Sequence, residues 1–341
     1  MDFIKYEAGV NMNNKKQEQV YFITGAAGFI GFYLAKRLLE SGAGVVGLDN
    51  MNDYYEVSLK EERLRILNKS EGFTFIKGDL ADKETVMSIF KEHRPDIVVN
   101  LAAQAGVRYS IDNPKVYMQS NVMGFFNILE CCRQYKVKHL IYASSSSVYG
   151  ANKKIPYSVD DKVDNPVSLY AATKKSNELM AYAYSQLYDM PCTGLRFFTV
   201  YGPVGRPDMA YYSFAEKIIN NEPIKVYNNG EMYRDFTYID DIVEGLMRVI
   251  NKIPSKNEDG VRYKIYNIGC GKPEKLTNMI EYLENELGKT AIKEFLEMQP
   301  GDVYQTYADI SDFESDFGEL HCVALEEGLH RFAEWFYTTL E

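Results

Sequence analysis

The segment Thr24-Gly25-Ala26-Ala27-Gly28-Phe29-Ile30-Gly31 constrains this chain more than any other. A short apolar run over 20–24 stops on the first of its three glycines, and a helical pattern over about 29–41 begins beside the last. An apolar run so bounded reads as a buried parallel strand. Glycines at this spacing serve a tight strand-to-helix turn, a close backbone approach to an anion and a close helix–sheet contact. The helix behind them points unpaired N–H groups at that anion.

The rhythm then repeats. Apolar runs at 44–48, 73–77, 97–101, 139–143 and 192–197 alternate with helical patterns at 83–93, 116–135 and 169–188. Such alternation predicts βαβ units and an α/β architecture, a doubly wound parallel (Rossmann) sheet. Past about 198 turn signals crowd in: Tyr201-Gly202-Pro203, Gly205-Arg206-Pro207, Asn228-Asn229-Gly230. The expected division is a tail over 1–18, a dinucleotide-binding domain over 19–198, and a smaller α/β substrate lobe forming most of 199–341. Segments 234–250 and 264–268 are expected to return to the main sheet.

At 341 residues and 46% apolar composition, the chain can bury one large core with a lobe attached. A net charge of −10 argues against nucleic acid or an anionic membrane as partner, since both would repel it. A small anionic substrate would need a local group of arginines. Cys131, Cys132, Cys192, Cys270 and Cys322 lack metal-ligand spacing, and the four histidines form no ligand motif. Five reduced thiols, no metal and a cytoplasmic location are the expectation. No apolar run reaches membrane-spanning length, and the N-terminus has no signal-peptide core.

Asp49 ends the second strand. A carboxylate there accepts hydrogen bonds from an adenosine ribose and repels a 2′-phosphate, which favours NAD over NADP. Asp79 ends the third strand, placed to meet the adenine. Farther on, Tyr170 and Lys174 stand one helical turn apart. A nearby ammonium stabilises phenolate and is expected to lower the Tyr170 pKa, so that the phenol serves as a general base towards a sugar hydroxyl. Tyr149 and Lys153 share the spacing, but Gly150, Asn152 and Pro156 make their stretch a loop. The serines Ser144-Ser145-Ser146-Ser147 follow the fifth strand, at the carboxyl edge where sites in such sheets lie.

With these residues in place, the chain resembles the extended short-chain dehydrogenase/reductases, and within them the UDP-glucuronate 4-epimerases, from about Val20 to the C-terminus. General marks are the glycine turn, Asn100-Leu101-Ala102-Ala103, Ser145, Tyr170 and Lys174. More specific are Asn52-Asp53-Tyr54-Tyr55-Glu56-Val57, Gln104-Ala105-Gly106-Val107-Arg108-Tyr109-Ser110 and Arg196-Phe197-Phe198-Thr199-Val200-Tyr201-Gly202-Pro203. Gly205-Arg206-Pro207-Asp208-Met209-Ala210 and Met298-Gln299-Pro300-Gly301-Asp302-Val303 are the most telling.

The resemblance implies NAD as cofactor, held by Gly25, Gly28, Phe29, Ile30, Gly31, Asp49, Asn50, Asp79, Leu80, Leu101, Ala102, Ala103 and Asn121 together with Tyr170 and Lys174. It implies catalytic roles for Ser145, Tyr170 and Lys174. A UDP-sugar acid would be held by Arg108, Ser145, Ser146, Ser147, Thr199, Arg206, Tyr227, Arg234 and Asp302, with Tyr227 at the uracil. The implied chemistry is a round trip through a 4-keto sugar, Tyr170 taking and returning the O4 proton. Val204 stands where relatives commonly carry Trp, which either widens the pocket or loosens a loop. Decarboxylating and dehydrating relatives generally carry acids where this chain has Ser146 and Ser147, which favours epimerisation. Two rivals stay open: a sugar-nucleotide decarboxylase or dehydratase, and a non-catalytic NAD-sensing regulator. Apolar residues on several faces of 116–135 and 169–188, among them Phe125, Tyr182 and Tyr184, predict a homodimer.

Overall fold

In a computed structural model, which describes residues 19–299 and 302–340, each of the six apolar runs is a strand. The tail expected over 1–18 lies outside the described residues. In chain order the elements are β1 (Val20–Thr24), α1 (Phe29–Glu40), β2 (Gly44–Asp49), α2 (Val57–Leu67), β3 (Phe73–Lys77), α3 (Lys83–His93) and β4 (Ile97–Asn100). Short helices α4 (Tyr109–Asp112) and α5 (Pro114–Tyr117) lead through a π-helical turn, Met118–Met123, into α6 (Gly124–Tyr135). Then come β5 (His139–Ser145), α7 (Leu169–Tyr188) and β6 (Cys192–Phe197).

These six strands and β10 (Tyr263–Ile268) form one parallel sheet in the order β10-β6-β5-β4-β1-β2-β3. Side chains alternate across it as a pleat requires. Tyr21, Ile23, Val45 and Val99 join the core beneath α1, whereas Phe22, Val46, Leu48 and Val98 join the one beneath α3 and α6. Both faces are covered, which is why the strands read as continuous apolar runs.

Beyond β6 the chain forms β7 (Thr199–Tyr201), α8 (Ala210–Ile219), β8 (Pro223–Tyr227), β9 (Tyr233–Tyr238) and α9 (Ile239–Ile250). After β10 come β11 (Pro273–Lys275), α10 (Leu276–Leu287), β12 (Ile292–Leu296), α11 (Ser311–Phe317) and α12 (Leu325–Thr338). The segment 264–268 lies in the main sheet. The segment 234–250 divides: β9 sits in a small sheet ordered β11-β9-β7, and only α9 packs back on the main domain, against α1.

Three further expectations change. The helix expected over 116–135 is interrupted by the π turn, a device that re-aims one side chain. Cys270 and Cys322, read as reduced thiols, are joined in a disulfide with Cα atoms 5.8 Å apart, while Cys131, Cys132 and Cys192 are free and buried. The pairing joins the loop after β10 to the one before α12, a meeting that only the tertiary fold creates. Phe125, expected at a dimer face, is fully buried against Tyr142, and Tyr184 donates to Glu130. Tyr182 is exposed as expected, and the other exposed apolar side chains of this region include Met118, Met123, Phe126, Leu179, Leu187 and Tyr188.

Candidate active site

The carboxyl ends of the parallel strands open into a cleft of about 820 Å³ that runs on between β7, β8 and β9. Its first wall is backbone. Gly25 lies at φ +71°, and a Cβ there would stand 2.9 Å from the Ala102 nitrogen. A Cβ on Gly31 would meet the Gly25 carbonyl at 2.1 Å, so α1 can start this close to the turn only without a side chain. The turn is tied to β2 by Gly25 N–H and Ala26 N–H, both donating to the Leu48 carbonyl. No side chain caps α1, whose N-cap is Gly28, so its first-turn N–H groups face the cleft without a side-chain acceptor.

Asp49 closes this wall. Its carboxylate accepts from Ala27 N–H at 3.2 Å and from Met51 N–H at 2.9 Å. Asp79 accepts from Ala81 N–H and from the Asn50 amide. Thr24 bridges the ends of β1 and β4 by donating to Asn100 and accepting from Ala102 N–H. A glycine cradle, an uncapped helix start and a carboxylate at the neighbouring strand end fit a dinucleotide's diphosphate and ribose.

Phe29, Ile30, Leu80, Leu101 and Ala103 line the same half of the cleft. Asn121, expected at the cofactor, lies apart from the cleft wall. The π turn aims its amide at Gln104, with which it exchanges two hydrogen bonds, and at the Thr173 hydroxyl. It fixes the loop that follows β4.

Ser145, Tyr170 and Lys174 meet in the middle of the cleft. β5 runs on through Ser144 and Ser145 because both pair in register with Arg196 and Phe197 of β6. The Ser144 hydroxyl donates to Glu178, itself in a buried ion pair with Arg196 at 2.8 Å, and this anchors the strand end. Ser147 N–H donates to the Ser145 hydroxyl. Lys174 Nζ donates to the Ala143 carbonyl at 2.8 Å and stands 5.9 Å from the Tyr170 ring centre. Burial brings the Lys174 ammonium down to about 8.

The expected lowering of the Tyr170 pKa is outweighed by burial. Burial raises the phenol above its ordinary value, and the groups pulling it back are the Ser145 hydroxyl and the Arg206 charge. Tyr149 is excluded from this chemistry. Its hydroxyl donates to Asn267 and accepts from Arg196, its ring stacks on Tyr157, and Lys153 is exposed in a loop.

The far half of the cleft is built from side chains. Ser146, Ser147 and Thr199 line it beside Tyr170. Arg206 makes a two-pronged pair with Asp208, at 3.0 and 2.6 Å, and Tyr54 donates to the same carboxylate. Arg108 pairs with Asp302 at 2.9 Å and lies over the Tyr227 ring at 4.9 Å. Arg234 donates to the Tyr233 and Tyr304 carbonyls. Val204 does not line the cleft, and its carbonyl accepts from Arg63, so the loop it sits in is tied to the core.

Several lining residues had no assigned role in the sequence reading: Asn52, Tyr54, Lys60, Lys217 and Lys225. The motif 52–57 was the available signal for the first two. Lys60 is buried, with Nζ donating to the backbone and side-chain oxygens of Asn52 and lying over the Tyr55 ring.

Residues 21–269 match the family model described as the NAD dependent epimerase/dehydratase family. Protein CapI of Staphylococcus aureus is 52% identical over 325 residues, covering 92% of this chain and 97% of its own length. A probable UDP-glucuronate 4-epimerase of Rhizobium meliloti is 46% identical over 329 residues, 93% of this chain and 96% of its own. Among solved structures, the UDP-glucuronic acid 4-epimerase of Bacillus cereus in complex with UDP-glucuronic acid and NAD superposes with a TM-score of 0.87 at 33% identity. That superposition covers 94% of this chain and all of the other.

Proposed function

Since the chain belongs to the NAD-dependent epimerase/dehydratase family, we propose that it is a UDP-glucuronate 4-epimerase, interconverting UDP-glucuronate and UDP-galacturonate through a 4-keto intermediate. The observation carrying this reading is the chemistry around Tyr170. Hydroxyls and an arginine stand beside it, and every cleft-lining carboxylate among the described residues is engaged elsewhere. Asp49 and Asp79 hold backbone N–H groups, Asp208 holds Arg206, and Asp302 holds Arg108. Among the described residues of the cleft no carboxylate is left to remove the C5 proton, as dehydration requires.

NAD would lie on the Gly25–Gly31 turn and Asp49, and when bound it supplies reversible oxidation at the sugar C4. Tyr170, ionised in the loaded site, removes the O4 proton and later returns it. Lys174 is the charge that favours the phenolate, and Ser145 hydrogen-bonds the same sugar oxygen. Arg108, Tyr227 and Asp302 take the uridine end, and Arg234 the diphosphate. A 4-keto glucuronate is a β-keto acid, which loses CO₂ once its breaking bond aligns with the ketone. Ser146, Ser147, Thr199 and Arg206 hold the carboxylate by charge-assisted hydrogen bonds that decarboxylation would forfeit.

The test is incubation with UDP-glucuronate followed by chromatographic identification of the product. The expected result is UDP-galacturonate with little pentose. Mostly pentose would overturn the reading in favour of a decarboxylase, and bound NAD with no turnover would favour a regulator. The enzyme works as a homodimer in the cytoplasm. The exposed apolar residues Met118, Met123, Phe126, Leu179 and Tyr182 support pairing of 118–135 and α7 across copies. Sedimentation at a monomer's mass would remove the dimer.

A further inference from the structure

Arg63 is fully buried on α2, at 0% exposure, and pairs with no carboxylate among the described residues. The inward face of this helix is Lys60, Arg63, Leu64 and Leu67, so two cations occupy positions where apolar side chains are the rule. A guanidinium has five N–H donors, and here all five are used. Nη1 donates to the Ala27 carbonyl at 2.8 Å and to the Tyr55 hydroxyl at 2.7 Å. Nη2 donates to the Val204 carbonyl at 2.7 Å and the Gly205 carbonyl at 2.8 Å, and Nε donates again to Val204 at 3.2 Å. The acceptors are neutral and come from three separate stretches of chain. Burying a charge on neutral partners is costly, and a planar fork repays it by holding those stretches in one geometry.

The two ends of this fork matter unequally. On the glycine-turn side it adds one bond to a turn already tied down by Gly25, Ala26, Ala27 and Gly28 N–H groups. On the other side lies the loop leading into Arg206. Val204 there is a β-branched residue at φ +53°, a conformation such residues avoid and that surrounding contacts must impose. Among the described residues, besides the Tyr33 hydroxyl on Pro203, the bonds holding the carbonyls of 203–205 come from Arg63.

We propose that Arg63 is a positioning residue: by gripping the Val204 and Gly205 carbonyls from within the core, it holds Arg206 against the sugar end of the cleft. This rests on the reading of Arg206 as a contact to a UDP-sugar acid. The residue touches neither Tyr170 nor the cleft, and works through Arg206. Lysine cannot replace it, because one ammonium cannot reach acceptors in three segments.

The experiment is a double-mutant cycle in the turnover-dead Tyr170→Phe background, with UDP-glucuronate and UDP as separate calorimetric probes of the NAD-loaded protein. Arg63→Met should weaken UDP-glucuronate binding roughly tenfold, Arg206→Ala by a similar factor, and the pair together no more than Arg206→Ala alone. NAD content per chain should stay within about twofold of the parent. Arg63→Lys should behave as Arg63→Met does, and it serves as the cycle partner where the methionine variant does not fold. Multiplying losses would overturn the proposal, as would unchanged affinity, full rescue by lysine, or a loss of NAD proportionate to the loss of sugar binding. A parent that binds UDP but not UDP-glucuronate, or binds neither, overturns the reading of the site and this inference with it. A parent that binds both while Arg63 is silent overturns the inference alone.

Discussion

The two halves of the cleft are built on opposite plans. The half over β1, β2 and β4 is built on the main chain of the glycine turn and the strand ends beside it, with glycines where a Cβ would collide. The half over β7, β8 and β9 is side chains brought from distant stretches, around residues 54, 108, 206, 227, 234 and 302, each cation holding an acid or a carbonyl in advance. The first plan suits a ligand that never changes, because backbone geometry leaves little to vary. The second suits a ligand on which relatives differ, because single side chains can be exchanged without disturbing the sheet.

The largest effect that tests this division falls where the halves meet. Tyr170→Phe keeps the ring and its edge contact with Tyr117 while removing the only group proposed to move a proton. Turnover should fall by roughly 10²–10⁴-fold, with KM and NAD content nearly unchanged. Tyr149→Phe should instead lower the melting temperature, since that hydroxyl bridges Asn267 and Arg196. If the two variants exchange behaviours, the proton-moving tyrosine has been misassigned.

Next in size is the cofactor wall. Asp49→Ala removes the ribose acceptor and also frees the Ala27 and Met51 N–H groups it holds. Hydrogen bonds to charged groups are each worth about 1.5–3 kcal/mol. NAD affinity should therefore drop roughly 10–100-fold, read as dinucleotide released per chain on denaturation, and the preference over NADP should narrow. A backbone-built wall predicts no change in UDP-glucuronate KM once NAD is saturating. A large KM change would mean that the halves are not separable.

The opposite half should yield a smaller and different signature. The Arg108–Asp302 pair is half exposed and therefore screened by water and salt. Arg108→Ala should raise KM about 3–10-fold, leave turnover intact and flatten the salt dependence of KM.

This division also explains how much could be read in advance. The strands of the main sheet and the glycine turn were legible because their requirements are local: apolar runs buried on both faces, and glycines where nothing else fits. Ser145, Tyr170 and Lys174 were legible because strand end and helix spacing bring them together. The π turn was not, because it arises where Asn121 meets Gln104 and Thr173, far apart in sequence. β9 was misplaced since a strand's own residues do not say which sheet it joins. The Cys270–Cys322 pairing and the buried fork of Arg63 were invisible for the same reason. An arginine on an amphipathic helix reads as a solvated one until the loop that takes its hydrogen bonds is in place.

The smallest expected effect concerns what the junction costs when the cofactor is absent. Lys174 is 2% exposed and its ammonium is brought down to about 8, against 10.5 when solvated. Between those values the unfolded chain binds a proton that the folded chain does not, so stability rises with pH across that interval. Below pH 8 the full penalty of burying the charge is present. Lys174→Met removes the penalty but leaves the Ala143 carbonyl without its donor, a loss of about 1 kcal/mol. The balance should leave the NAD-stripped variant more stable than the stripped parent by about 1–2 kcal/mol at pH 7. That gain should shrink as pH rises from 8 towards 10. Denaturant unfolding at pH 7, 8, 9 and 9.5 measures it, with turnover of the variant expected to be lost throughout. An advantage that is constant with pH would mean that packing, and not the buried charge, separates the two proteins. A variant less stable at pH 7 would mean that the carbonyl contact outweighs the charge, and that Lys174 supports the fold as well as the chemistry.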